Sequence, residues 1–249
     1  MAWRDSRRNK SRLALFISSI ILGIAALVAI YGLGYALERD IDQQAKTLIG
    51  ADLAVDANKA PEPGIQQLLD SIGTLGKSAR ENNFASMIYF PASGGTRLAQ
   101  VRAVSEGFPF YGKLDTNPGD AYALFQNGGG ALVEQNLLLQ FNAHTGDSIR
   151  VGEKTYLIIG AILQSPGKTG FSAAVAPAVW IPIQDLEATG LLQKGSRINH
   201  LHYFQFKQPD FVNELLPRIE ERLTDAGWDI ETVASRKEST GRSFQDLNE

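Results

Sequence analysis

The sequence predicts an α+β protein. One N-terminal transmembrane helix extends as a stalk and leads into a two-lobed domain on the far side of the membrane. Three observations predict this. Leu13 to Leu37 carries no charge at all. Helical periodicity then continues, without Pro or Gly, as far as Gly50. Beyond it, two β-α-β patterns lie far apart in the chain and enclose a Gly-rich stretch of short strands.

The uncharged stretch comes first. At about 1.5 Å per residue it would reach roughly 37 Å as a helix, against about 30 Å of bilayer hydrocarbon. Arg4, Arg7, Arg8, Lys10 and Arg12 precede it, with only Asp5 opposing them. Positive charge beside a span stays in the cytoplasm, which places residues 1–12 inside and everything after Leu37 outside. A cleaved signal peptide would have an apolar core of about 7–15 residues ending in a small-x-small site. This run is longer and holds no Ala-x-Ala. Residues 1–12 themselves fit either a short surface helix, with Trp3 at headgroup level, or a basic tail.

Within the span, 13–37, one narrow stripe holds Ser18, Leu22, Ala25, Ala29, Gly32 and Ala36. The opposite face carries Ile17, Ile20, Ile24, Leu27, Val28 and Tyr31. Small residues let helix backbones approach closely in lipid. The stripe is therefore expected to pack on other transmembrane helices, and the bulky face to meet lipid.

The stalk, 38–50, keeps Leu37, Ile41, Ala45 and Leu48 on one apolar line. Gly50 is the first good C-terminal cap, expected in a left-handed conformation. A continuous helix here would serve mechanical coupling or act as a plain spacer. Ala51 to Ala57 reads as a strand, and Pro61 and Pro63 introduce a helix through about Ile72. Phe84 to Phe90 and Arg97 to Val104 are strand-like. The pattern returns with a strand at His200 to Lys207, a helix after Asp210, and a strand at Trp228 to Val233. Pro217 should kink that helix or delay its start. Residues 51–107 and 199–235 then form one split βαβ lobe.

Residues 108–198 form a β-rich insert lobe. Ser148 to Val151 and Thr155 to Ile159 flank a turn at Gly152-Glu153-Lys154 and predict a hairpin. Glu134 to Phe141 predicts a short helix, Val179 to Ile183 a strand, and Gln184 to Thr189 another helical turn. Residues 236–249 are polar.

Composition narrows the function. The chain has 24 Lys+Arg and 27 Asp+Glu. Removing the five basic residues and one acid before the span leaves 19 and 26, a net of -7. That balance excludes a nucleic-acid footprint. There is no cysteine, which excludes disulfides and thiolate chemistry. Ser165-Pro-Gly-Lys-Thr169 contains GKT but lacks the earlier glycine of a phosphate loop, with Ile162 in its place. His200 and His202 share a strand face, yet no third ligand is near in sequence. No Gly-x-Ser-x-Gly elbow occurs. No catalytic, cofactor-binding or metal-binding residue is expected, so the chain reads as a non-enzyme.

Several short stretches together resemble one family. Ala2-Trp-Arg-Asp-Ser-Arg-Arg8, followed by a helix with Gly-Ile-Ala-Ala-Leu-Val-Ala-Ile30, resembles the start of FtsX-like ABC transporter permeases. Leu48-Ile-Gly-Ala-Asp-Leu53 resembles the beginning of their MacB-like periplasmic core domain. Gly130-Ala-Leu-Val-Glu-Gln135, Thr145-Gly-Asp147 and Val179-Trp-Ile-Pro-Ile183 fit its middle. Asp185-Leu-Glu-Ala-Thr-Gly-Leu-Leu192 and Gly195-Ser-Arg-Ile198 look most like the large permease of the lysophospholipase L1 biosynthesis transport system.

The resemblance implies a bacterial inner-membrane location, a periplasmic two-lobed domain, and a cytoplasmic ABC ATPase partner. It further implies that stalk movement acts on a lipid, lipoprotein or hydrophobic compound at the periplasmic side. Such permeases have at least four spans, and their ATPase-contacting loop follows the second. The chain is therefore expected to be an N-terminal fragment, with 236–249 leading towards a second span and the ATPase meeting segments absent here. Two other function classes fit the residues alone: a membrane-anchored extracytoplasmic sensor, and a scaffold that recruits an envelope hydrolase.

Overall fold

The structure is a computed structural model that describes residues 10–164, 177–192 and 197–238. The chain divides into two units, Met1–Gln44 and Ala45–Glu249. The GKT stretch and the end of the polar tail lie outside the described residues.

The first unit holds most of helix α1, Lys10–Ile49, which runs 40 residues without a break. Its segment Ala14–Ala36 is, among the described residues, the one helix long and apolar enough to cross a membrane. The Ser18 hydroxyl donates back to the Leu15 carbonyl at 2.9 Å, so this polar group is satisfied within the helix.

The second unit begins with the split βαβ pattern. Strand β1 (Leu53–Ala57) leads through α2 (Pro63–Gly73) to β2 (Gly76–Phe90). Far along the chain, β9 (Asn199–Phe206) leads through α5 (Phe211–Asp225) to β10 (Asp229–Thr232). In space the four strands lie in the order β10-β1-β9-β2, so the halves interleave and every neighbouring pair is antiparallel. Alternation decides what each face covers. Leu53, Val55, Phe204 and Phe206 face the helices and pack on Leu69, Ile72, Ile219 and Leu223. Ala54, Ala79 and Tyr203 point to the opposite face.

The strands between the halves close on themselves. After β2 come β3 (Gly95–Val104), β4 (Asp115–Asn117), α3 (Ala121–Gln126) and β5 (Ala131–Glu134). Then follow α4 (Gln135–Phe141), β6 (Ser148–Val151), β7 (Lys154–Gln164) and β8 (Ala178–Pro182). Pairing runs β2-β3-β8-β5-β7-β6 and returns from β6 to β2. That ring of six is a small barrel, with interior residues such as Ile88, Val101, Val133, Ile149, Ile158 and Val179. Closure leaves these six strands without a free edge.

Strand β2 belongs to both lobes. Gly76–Asn83 pairs with β9, while Glu81–Phe90 pairs with β3. The sequence reading started this strand at Phe84, because Gly76 to Asn83 is polar. Pairing with β9 along its whole length, joined by β3 from Glu81 onward, and burial of Ala79 and Glu81 make that polar run a strand. The pairing thus puts the second half of β2, and β3, into the barrel wall ahead of residue 108. Three short elements also escaped the reading: β4, α3 and β5. Pro217 does not delay α5, which starts at Phe211 and contains it. Its ring removes the bond to the Asn213 carbonyl, but both residues are exposed and water can replace the donor. The helical turn expected at Gln184 to Thr189 is two 3-10 turns, Ile183–Asp185 and Glu187–Thr189.

Candidate functional site

The last turn of α1 is where the helix enters the folded domain. Ala45 and Ile49 are each only 4% exposed. The Gly50 amide donates to the Lys46 carbonyl at 2.8 Å and closes the helix with φ at +73°. A side chain there would meet the Phe108 ring and Pro109 at 3.0 Å. Glycine thus answers both a left-handed backbone and a crowded approach.

A loop from Gly107 to Leu114 clasps this turn. The amides of Phe110 and Tyr111 both donate to the Gly50 carbonyl, at 2.8 and 3.3 Å. The Lys46 ammonium sits 5.7 Å from the centre of the Tyr111 ring. At Gly112, with φ +80°, a Cβ would lie 2.7 Å from Thr47 Cγ2. The loop is held from behind as well. The Gly107 amide donates to the Gln126 side chain, and the Tyr122 hydroxyl to the Phe108 carbonyl.

Asp52 fastens the exit. It is 2% exposed and lies between apolar Ala51 and Leu53. One carboxylate oxygen accepts the Tyr111 hydroxyl at 2.8 Å; the other accepts the Phe206 amide at 2.9 Å. The Asp52 amide donates to Phe204 at 2.9 Å. One residue therefore ties the helix exit to both the loop and β9. Burial, together with the Asp52 carboxylate it donates to, pushes the Tyr111 phenol above its ordinary pKa.

Phe108 leads from this foot to a buried charged cluster. Its ring stacks on Tyr203, with centroids 4.0 Å apart. The Tyr203 hydroxyl donates to Glu81 Oε2 at 3.1 Å. Arg102 grips the same carboxylate with two parallel bonds of 2.6 Å, from Nε to Oε1 and from Nη2 to Oε2. Its guanidinium lies 4.5 Å from the Trp180 ring centre. Burial works against the charge on Arg102, but the facing Glu81 outweighs it and raises the pKa. Burial, and then Glu81, raises Tyr203 well above the phenol range.

Ser18, Leu22, Ala25, Ala29, Gly32 and Ala36 lie in the other unit, on the stretch 14–36 of α1, which is exposed on every side. The foot collects residues that sequence reasoning missed. Asp52, an acid wedged between apolar residues, and the aromatic run Phe108-Pro-Phe-Tyr111 were the available signals. His200 and His202 do lie two apart on β9. Among the described residues, no group of three or more His, Asp or Glu is placed to hold a metal ion.

A helix long and apolar enough to cross a membrane, followed by a mixed α+β domain, fits a single-pass membrane protein. The chain belongs to the MacB-like periplasmic core domain family, which matches residues 13–221. It is 29% identical over 204 residues to the uncharacterized ABC transporter permease YbbP of Escherichia coli (strain K12), covering 81% of this chain. The chain spans only 24% of that relative's length. Similar solved structures include the periplasmic region of MacB from Actinobacillus actinomycetemcomitans, at 13% identity and TM-score 0.46. That match covers 79% of this chain and 95% of the other. The extracellular domain of the noncanonic ABC-type transporter YknZ from Gram-positive bacteria matches at 10% identity and TM-score 0.44. It covers 72% of this chain and all of the other, 100%. By the family match, the folded unit is a MacB-like periplasmic core domain, of the ABC transporter permease type.

Proposed function

We propose that this chain is the domain-bearing part of a permease that transmits motion from a cytoplasmic ABC ATPase to the periplasm. Its cargo is a lipid, lipoprotein or other hydrophobic compound. The N-terminus lies in the cytoplasm and the domain in the periplasm of the inner membrane. The ATPase meets segments of the permease beyond these residues, and the small-residue stripe from Ser18 to Ala36 packs on its other membrane helices.

The observation that carries this reading is the foot. A helix that runs 40 residues without a break ends in a turn pinned by Gly50, Asp52 and the 107–114 loop. A tether needs no such seating. A helix that must push, pull or rotate a domain needs its end fixed in that domain.

The test is to interrupt the helix without touching either end. Gly-Gly-Ser inserted after Gln44 in the full-length permease would turn a stiff rod into a flexible joint. The expected result is normal membrane level and normal ATPase association, with loss of complementation of a deletion strain. Full complementation by the interrupted permease sinks the mechanical reading. A periplasm-only reporter fused after Glu249 tests topology: an inactive reporter places the domain on the wrong side.

A further inference from the structure

We propose that the Glu81–Arg102 pair, with Tyr203, is an orientation lock between the two lobes. It fixes the barrel at one angle to the split βαβ sheet, so that both turn as one body with the helix foot.

The lock stands where the lobes share strands. Glu81 is at the crossover of β2, opposite Leu201 of β9 on one edge and Val104 of β3 on the other. Arg102 is on β3, opposite Trp180 of the barrel strand β8. Tyr203 is on β9, which pairs with β1 and with the sheet half of β2 and with none of the other five barrel strands. Three strands with three different memberships therefore meet at one carboxylate.

Burial makes the choice of these groups informative. Glu81 is completely buried, at 0% exposure. A buried ion pair is weak as a source of stability, because desolvation offsets most of the attraction. Apolar residues of similar volume would hold the strands together at least as well. What a bidentate pair adds is direction: two parallel bonds to a planar fork tolerate little rotation. The surroundings repeat this restriction. Trp180 stacks against one side of the guanidinium, and the Tyr203 hydroxyl claims a carboxylate oxygen. Phe108, stacked on Tyr203, carries the restriction to the loop that clasps Gly50.

The use of this lock in transport rests on the permease reading above. The lock itself is testable whether or not that reading holds. The chain has no native cysteine. Spin labels can therefore be placed at Glu221→Cys on α5 and Thr155→Cys on β7, both exposed. Pulsed dipolar spectroscopy on the whole chain in lipid nanodiscs then reads the lobe-to-lobe distance distribution.

In the double variant Glu81→Met/Arg102→Met, which leaves the Tyr203 hydroxyl without its acceptor, the domain should still fold cooperatively while the distribution becomes about twofold broader. Tyr203→Phe should broaden it less. A cooperatively folded double variant with the parent's narrow distribution overturns the proposal. If the double variant fails to melt cooperatively, Tyr203→Phe and Glu81→Gln decide. Parent-like width in both overturns the lock, and broadening in either supports it.

Discussion

One helix, α1, is two different surfaces along its length. In the span, Leu22 is 75% exposed and Tyr31 77%. In the last turn, Ala45 and Ile49 are buried at 4%. Both stretches carry apolar side chains, and the last turn also holds Lys46 and Thr47. What separates them is whether this chain supplies the partner. The foot finds its neighbours in the chain's own loop, in β1 and in β9. Among the described residues nothing covers the apolar surface of the span, and under the permease reading proposed above lipid and other membrane helices accept it. Changes at the foot should therefore register in the domain's own stability. Changes in the span should register only in function. The predictions below are ordered by their expected effect on unfolding of the whole chain in detergent.

The largest effect should come at Gly50. A side chain there meets the left-handed penalty of roughly 1–2 kcal/mol, plus overpacking of about 1–3 kcal/mol against Phe108 and Pro109. Gly50→Val should lower the unfolding free energy by about 3 kcal/mol, and Gly50→Ala by less. Chemical denaturation with tryptophan fluorescence reads this directly, since Trp180 and Trp228 are buried in the domain. An unchanged midpoint for Gly50→Val would show that the foot is loosely held and that the contrast with the span is false.

Acid should come next, acting on the sheet face away from the foot. Burial, then the charges of Arg80 and His200, lower the His202 pKa from 6.5 to about 4, while Asp70 opposes them. The unfolded chain therefore takes up the proton first. Stability is complete above pH 6.5 and is lost as pH falls from there towards 4, by a total on the order of 3 kcal/mol. His202→Phe keeps a ring against Trp228 and should flatten that slope. An equal slope in parent and variant assigns the acid sensitivity elsewhere.

Asp52→Ala ranks third. It strands the Phe206 amide and the Tyr111 hydroxyl, for a cost of roughly 1–3 kcal/mol. Tyr111→Phe removes one of the two bonds and should cost less. Equal effects of the two variants would mean that the β9 bond contributes nothing.

The same contrast explains what the sequence made legible. The span, the stalk and both βαβ halves declare themselves by local periodicity, because each buries or exposes a whole stripe. Gly50 stood out because glycine after a long helical run has a local meaning. Asp52, Phe108 and the Glu81–Arg102–Tyr203 cluster depend on partners up to 154 residues away, as with Asp52 and Phe206. No window of sequence contains such a pair. The polar run from Gly76 to Asn83 failed for a related reason: its strand character comes from pairing with β9, more than 110 residues further along the chain.

The smallest effect on stability, and the sharpest test of the contrast, belongs to Ala29. Among the described residues nothing covers it, so Ala29→Leu should leave domain unfolding unchanged. Leucine favours membrane insertion as well as alanine does, so the protein level in membranes should hold too. If Ser18, Leu22, Ala25, Ala29, Gly32 and Ala36 form a packing face, the added bulk separates backbones that must approach closely. Complementation by the full-length permease should then be lost, while Ile24→Ala on the opposite face remains nearly silent. Blotting establishes equal levels, and the deletion strain reads function. Equal activity of both variants would mean that the span uses no particular face. The helix would then transmit motion, if at all, through its foot alone.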